Sequence, residues 1–144
     1  MSMLNIFNVS GSAISAQSQR LNVVASNLAN ADTVADVNGK VYKARQVQFQ
    51  TQLMGSASMG AMGESVSTGA GVSVTGIAED QTPGRRNYDP QHPQADEQGY
   101  VTYSNVNPVE EMVNMISASR SYQNNVEVMN TAKTLLMKTL QMGS

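Results

Sequence analysis

Two long stretches with helical periodicity lie at the two ends of the chain, and a polar, glycine-rich stretch separates them. In the N-terminal stretch, seam positions recur at alternating steps of three and four residues, the spacing of a heptad repeat. The seam consists of Phe7, Ser10, Ile14, Gln17, Leu21, Val24, Leu28 and Ala31. This spacing predicts an N-terminal helix within residues 1–32.

The helix around this seam is almost uncharged, because Arg20 is the only charged residue before Asp32. Water-exposed helices usually carry more charge, so we expect neighbouring subunits to cover this helix in a polymer. Replacing amides that we expect to be exposed, such as Gln17 or Asn27, by Glu should then harm a polymer but not an isolated helix pair.

The C-terminal stretch begins with a helix-start signal, in which Asn107 is the cap, Pro108 the first helical position and Glu110 the third. Apolar positions continue for about nine turns. They are Val109, Met112, Val113, Ile116, Tyr122, Val126, Met129, Ala132, Leu136 and Leu140. A helix from Pro108, within residues 105–144, would be roughly 50 Å long at 1.5 Å per residue, too long for a globule of this size.

The middle of the chain, residues 33–104, predicts a small β-rich module. Asn38 and Gly39 predict a hairpin over residues 34–42. Strict alternation over residues 45–53 predicts a strand, and shorter strands are expected at 72–77 and 100–103. Residues 54–71 are rich in Gly, Met and Ser and predict a mobile loop. The expected fold is therefore α+β, with the terminal helices paired as a coiled coil.

Candidate chemistry is sparse along the chain. The single histidine, His92, lies in a proline-flanked turn segment, and Glu110 and Glu111 are explained as partners of the helix dipole. Of the ten methionines, those at helical spacing, Met112, Met115, Met129 and Met137, are interpreted as adaptable packing residues and not as metal ligands. We expect no catalytic residues, no cofactor and no metal site.

The net charge of −2 and the absence of a long apolar stretch also narrow the range of partners. No basic cluster exceeds the pair Arg85 and Arg86, so nucleic acid is not an expected partner. We expect no direct membrane insertion, and the polar N-terminus does not resemble a cleavable signal peptide.

Residues 15–32, with the core Asn27-Leu28-Ala29-Asn30-Ala31, resemble the signature of bacterial flagellar rod and hook proteins. Within that family, Glu110-Glu111-Met112-Val113 and residues 115–128 are similar to the proximal rod proteins. The resemblance does not extend to residues 54–71. One departure is that Thr33 leads into Val34, where many family members have a Thr-Pro-Gly turn.

The resemblance implies a structural subunit of the basal-body rod, the drive shaft that transmits torque from the motor to the hook. Such proteins are exported to the periplasm without cleavage of a signal peptide. The implied partners are copies of the chain, other rod proteins, and the basal-body ring and export gate. By heptad position, the helix-packing residues are expected to be Ile14, Leu21, Val24, Leu28, Met112, Ile116, Val126, Met129, Leu136 and Leu140.

Two other classes of protein would share some of these features. A cytoplasmic coiled-coil adaptor or export chaperone would also have paired helices, but normally a charged outer face. A peptidoglycan-active enzyme would need a carboxylate or histidine in a formed pocket, which the middle region does not predict.

Overall fold

The computed structural model describes residues 3–54 and 69–143. Helix α1 spans Met3–Ala29 and helix α2 spans Pro108–Met142. Among the described residues, four strands lie between them: β1 (Arg45–Leu53), β2 (Ala70–Glu79), β3 (Arg86–Tyr88) and β4 (Tyr100–Thr102). The predicted α+β arrangement, with two long helices flanking small sheets, is confirmed.

The strands form two two-stranded sheets, β1 with β2 and β3 with β4. The amide of Met54 donates to the Gly69 carbonyl (2.9 Å), and the amide of Asp80 donates to the Ala44 carbonyl (2.8 Å). These bonds join the end of each strand to the start of the other, so β1 and β2 are antiparallel. Most of the predicted loop at 54–71, residues 55–68, lies outside the described residues, and β2 already begins within its last residues.

The segment 34–42 contains the predicted turn but pairs differently from the prediction. The Gly39 amide donates to the Asp36 carbonyl (2.7 Å), with Gly39 at φ +73° in the left-handed region that glycine tolerates. The Asp36 amide also donates to the Lys40 carbonyl across the turn (2.8 Å), but Val34 forms a bridge with Tyr103. The predicted turn is therefore present, but residues 34–42 do not form the two strands of a hairpin, because the start of this segment pairs with residues at the end of β4 that are distant in sequence.

The described residues form two compact units, and α1, α2, β1 and β2 each contribute to both. The first unit combines residues 3–19, 49–54, 69–75 and 118–143. Its helices approach closely at small residues: a Cβ atom on Gly11 would lie 3.9 Å from Met129 Cε. The Val72 amide donates to Ser12 Oγ (3.1 Å), which ties β2 to α1.

The second unit combines residues 20–48 and 76–117. Its small apolar cluster contains Ala31, Ala44 and Val106, with Tyr42 packed against them. In this unit Arg20 donates to Asn114 Oδ1 (3.3 Å), which connects α1 to α2. Because few large aliphatic side chains are buried in this unit, its polar contacts largely determine how its segments are arranged.

Candidate assembly interface

Asn27 on α1 forms a hydrogen-bonded network at the centre of the second unit, and its side chain is 0% exposed. Its Nδ2 donates to the Arg45 carbonyl (2.8 Å) and to Glu111 Oε2 (3.1 Å). Its Oδ1 accepts from the Arg45 amide (2.9 Å) and from the Tyr42 hydroxyl (2.9 Å). Both donors and both lone pairs of the amide are thus used. The expectation that Asn27 is exposed was wrong, because this single side chain binds a strand, a loop and the second helix.

Glu111 is the α2 partner in this network and is only 7% exposed. The start of α2 is as predicted, since Asn107 Oδ1 accepts from the Val109 amide (3.1 Å). The role of Glu111 goes beyond the expected dipole interaction, because its carboxylate receives the Asn27 amide. Sequence reasoning missed this contact, although a buried carboxylate needs a donor.

A second amide, Asn105, joins other parts of the second unit. Its Nδ2 donates to the carbonyls of Asp80 (3.1 Å) and Thr82 (3.0 Å), and its Oδ1 accepts from the Ala44 amide (2.7 Å). Asn27 thus connects α1 to β1 and α2, and Asn105 connects the segment before α2 to the residues next to β1 and β2.

The seam of α1 lies on the covered side of the helix. Ser10, Val24 and Ala31 are buried, and the other five seam residues are half-buried. Among them is Gln17, which was expected to be exposed and whose Oε1 atom is buried without a hydrogen-bond partner in the part of the chain that the structure describes.

The predicted packing residues of α2 fall into two groups. Val126, Met129 and Leu136 are half-buried, whereas Met112, Ile116 and Leu140 are exposed. Within the single chain, the structure therefore brings the first three into packed surroundings and leaves the second three at the surface.

An apolar ridge occupies the first turns of α2. Val109, Met112, Val113 and Ile116 are 70%, 51%, 61% and 57% exposed, respectively. Their spacing of i, i+3, i+4 and i+7 places them on one face of the helix. We call these four residues the α2 ridge.

The first unit contains an apolar recess between the start of α1 and the later turns of α2, with a volume of about 450 Å³. It is lined by Ile6, Asn124, Glu127, Val128, Thr131, Ala132 and Leu135. We call this recess the first-unit groove. Its largely apolar lining suits contact with apolar side chains from another helix.

The outer face of α1 remains uncharged as well as exposed. Its exposed polar positions are Asn8, Ser15, Gln19, Asn22 and Ser26. Amide and hydroxyl groups at these positions are able to bond to a neighbouring backbone without the desolvation cost of a charge.

Two carboxylates of the second unit, those of Asp96 and Asp80, accept hydrogen bonds within the chain. Asp96 Oδ1 accepts from the amides of Tyr100 (2.8 Å) and Gln98 (2.9 Å), and its Oδ2 accepts from Arg86 (2.8 Å). These bonds, with the Tyr100 amide first, lower the pKa of Asp96. The Thr82 hydroxyl and amide similarly lower the pKa of Asp80.

His92 lies in a turn, where its Nδ1 accepts from the Gln94 amide (3.2 Å). Across residues 3–54 and 69–143, no group of three His, Asp or Glu side chains is arranged to hold a metal ion. Within the same residues, neither helix contains an apolar stretch long enough to cross a membrane.

Comparison with known proteins identifies relatives along nearly the whole chain. Residues 7–34 match the family described as "Flagella basal body rod protein", and residues 97–142 match "Flagellar basal body rod FlgEFG protein C-terminal". The flagellar basal-body rod proteins FlgC of Yersinia enterocolitica and Escherichia coli O157:H7 are 52% and 51% identical to the chain over 143 residues. FlgC of Bacillus subtilis strain 168 is 42% identical over 149 residues, and each alignment covers 99% of both chains.

Proposed function

The chain belongs to the FlgC family of flagellar basal-body rod proteins and is a structural subunit of that rod, and we propose that it assembles through its two terminal helices. The observation that carries the proposal is the α2 ridge, whose four side chains are each more than half exposed. Burying a large aliphatic side chain contributes about 1.5–3 kcal/mol. A contact that covers this ridge would therefore supply substantial assembly energy.

Within one chain, we propose that the helices pair as an antiparallel coiled coil. In the second unit, Arg20 contacts Asn114 and Asn27 contacts Glu111, so the residue numbers rise along α1 as they fall along α2. In the first unit, Gly11 lies beside Met129. These contacts support the pairing.

The predicted packing residues then divide between two roles. Ile14, Leu21, Val24 and Leu28 on α1, with Val126, Met129 and Leu136 on α2, are proposed to pack inside one subunit. Met112, Ile116 and Leu140 are exposed in the single chain and are proposed to pack between subunits.

Membership of the rod family implies assembly with other basal-body components in the flagellum. We further propose that the chain is exported without signal cleavage and joins the proximal rod in the periplasm. There it would contact copies of itself, neighbouring rod proteins, and the ring and export gate. The uncharged outer face of α1 supports burial among such neighbours, and a drive shaft under torsion would distribute its load over many such contacts.

The test is deletion of the gene in its own host, with electron microscopy of purified basal bodies and assays of swimming. We expect basal bodies without rod or hook, and recovery of both when the intact gene is supplied. Normal rods and swimming in the deletion strain would overturn the rod assignment and favour a cytoplasmic adaptor.

A pair of matched variants then tests the role of the terminal helices. The double substitution Asn8→Glu and Gln19→Glu places charge on the exposed face of α1, and we expect it to abolish complementation. The control, Gln50→Glu with Gln52→Glu, adds the same charge to exposed positions of β1 and should complement. Equal complementation by both variants would argue against burial of the outer face of α1.

A further inference from the structure

The described residues include two dissimilar apolar surfaces, one on each unit. The α2 ridge belongs to the second unit, and the first-unit groove belongs to the first. The ridge extends over seven helical intervals, about 10 Å, and the groove residues of α2 extend from Asn124 to Leu135, about 16 Å. The groove is therefore long enough to receive the ridge of another molecule.

The charges of α2 are distributed unequally between the same two surfaces. Around the ridge, residues 108–117 contain the carboxylates Glu110 and Glu111 and no cation. Residues 118–143 contain the three cations Arg120, Lys133 and Lys138 and one carboxylate, Glu127. The segment of α1 that belongs to the first unit, residues 3–19, has no charged side chain.

Two of these cations lie at the ends of the groove. Arg120 precedes Asn124 by four residues and Lys138 follows Leu135 by three, so both lie on the same face of α2 as the groove, and both are exposed. The groove itself is lined by one carboxylate, Glu127, and the two cations lie beyond its ends. The exposed Glu110 beside the ridge is attracted to these two cations, whereas contact between two ridges brings their carboxylates together.

Building on the proposed function, we propose that the α2 ridge of one copy binds the first-unit groove of a second copy, head to tail. A contact between two different surfaces leaves one of each free at the ends of the assembly, so it extends as an open polymer unless the rotation between copies closes it into a ring. A contact of one surface with itself would close as a dimer. Charge complementarity and the dissimilar shapes of the two surfaces both favour the head-to-tail arrangement.

Self-association of the purified full chain tests this pairing, measured by sedimentation over a range of concentrations. Ile116→Asp places a charge on the α2 ridge, and Leu135→Asp places a charge in the first-unit groove, so each disrupts one of the two surfaces. Both side chains are at least half exposed, so neither change should prevent folding, which circular dichroism checks. Ile77→Asp, at an exposed position of β2 outside both surfaces, is the matched control.

We expect each interface variant alone to raise the concentration needed for association by at least about tenfold, and the control to behave like the unchanged chain. An equimolar mixture of the two interface variants retains one intact ridge and one intact groove, so it should form a species of two chains that does not grow further. This recovery in the mixture is specific to a head-to-tail contact.

Three results would overturn the proposal. Normal association of the Leu135→Asp variant would mean that the ridge binds elsewhere, and no recovery in the mixture would exclude the ridge–groove pair. An unchanged chain that stays monomeric at all concentrations would assign the ridge to a different rod protein.

Cysteine crosslinking provides an independent measurement, because the chain contains no cysteine. Chains with Val113→Cys and chains with Val128→Cys should form a mixed disulfide when oxidised together, and neither should do so efficiently alone. Efficient crosslinking of Val113→Cys chains to one another would contradict the proposal.

Failure of this inference is distinguishable from failure of the proposed function. If the intact gene restores swimming to the deletion strain, the rod function holds. If genes encoding the Ile116→Asp and Leu135→Asp variants restore it equally well, only the ridge–groove contact is refuted.

Discussion

Replacement of the buried amide of Asn27 by a carboxylate should be among the most damaging changes available in the second unit. Asn27→Asp preserves the shape of the side chain but removes the donor to the Arg45 carbonyl and the donor to Glu111. A buried acceptor left without its donor costs about 1–3 kcal/mol. The new carboxylate would also face Glu111 at the present 3.1 Å separation. We expect a total loss of about 3–5 kcal/mol in the free energy of unfolding.

Urea unfolding of the purified chain, followed by circular dichroism, measures this loss. Asn22→Asp makes the same chemical change at an exposed position of α1 and should alter the free energy of unfolding by less than about 0.5 kcal/mol. Adding Glu111→Gln to the Asn27→Asp variant supplies a new donor to the carboxylate and should recover about half of the loss, a coupling of about 1–3 kcal/mol.

The pH dependence of the Asn27→Asp variant gives a further check. The nearby carboxylate raises the pKa of the introduced carboxyl group in the folded state above its unfolded value. The folded form then binds more protons, so the deficit relative to the unchanged chain should shrink as the pH is lowered from 7 towards 4. Equal losses in the Asn27→Asp and Asn22→Asp variants, without pH dependence, would refute the role assigned to the Asn27 network.

Two further changes test other parts of the structure. Gly71→Ala should destabilise the first unit by about 1–3 kcal/mol, because an added Cβ would lie 2.8 Å from Ser12 Oγ and in contact with Met54. Gly76→Ala on the same strand meets no atom within 4 Å and should cost little, so equal urea midpoints for the two variants would contradict the close approach. The lowered pKa of Asp96 predicts that the β3–β4 turn gains stability above the ordinary aspartate pKa of 3.8 and loses it as the pH falls through the lower, folded-state value. Asp96→Asn should weaken the acid dependence of amide exchange in this turn, and unchanged dependence would show that other groups control it.

The features that could be predicted from the sequence depend on nearby residues. The start of α2 follows from Asn107 and Pro108, since a cap and a first-turn proline act within one helical turn. The bounds of β1 follow from alternation over residues 45–53. Heptad spacing also identified the covered face of α1. It does not identify which residues cover that face.

The features that could not be predicted depend on pairings between distant residues. The three-residue strand β3 has too short a pattern to be recognised alone and exists through its register with β4, in which Asn87 lies opposite Val101. Asn27 was misplaced because an asparagine beside a heptad seam gives no local sign of burial. Its partners Arg45 and Glu111 are 18 and 84 residues away, so only the folded chain reveals the network.

The distribution of polar and apolar side chains has a consequence for assembly. Among the described residues, the largest fully buried side chains are Val101, Asn27 and Ser104, while the aliphatic α2 ridge is exposed. Hydrogen bonds have strict geometry but contribute only about 0.5–1.5 kcal/mol each, so this interior specifies the shape of a subunit more than it stabilises it. Any partner that binds only the folded form adds to its stability by mass action. The Asn27→Asp variant should therefore show a smaller fraction unfolded in the assembled rod than as a free chain at the same urea concentration.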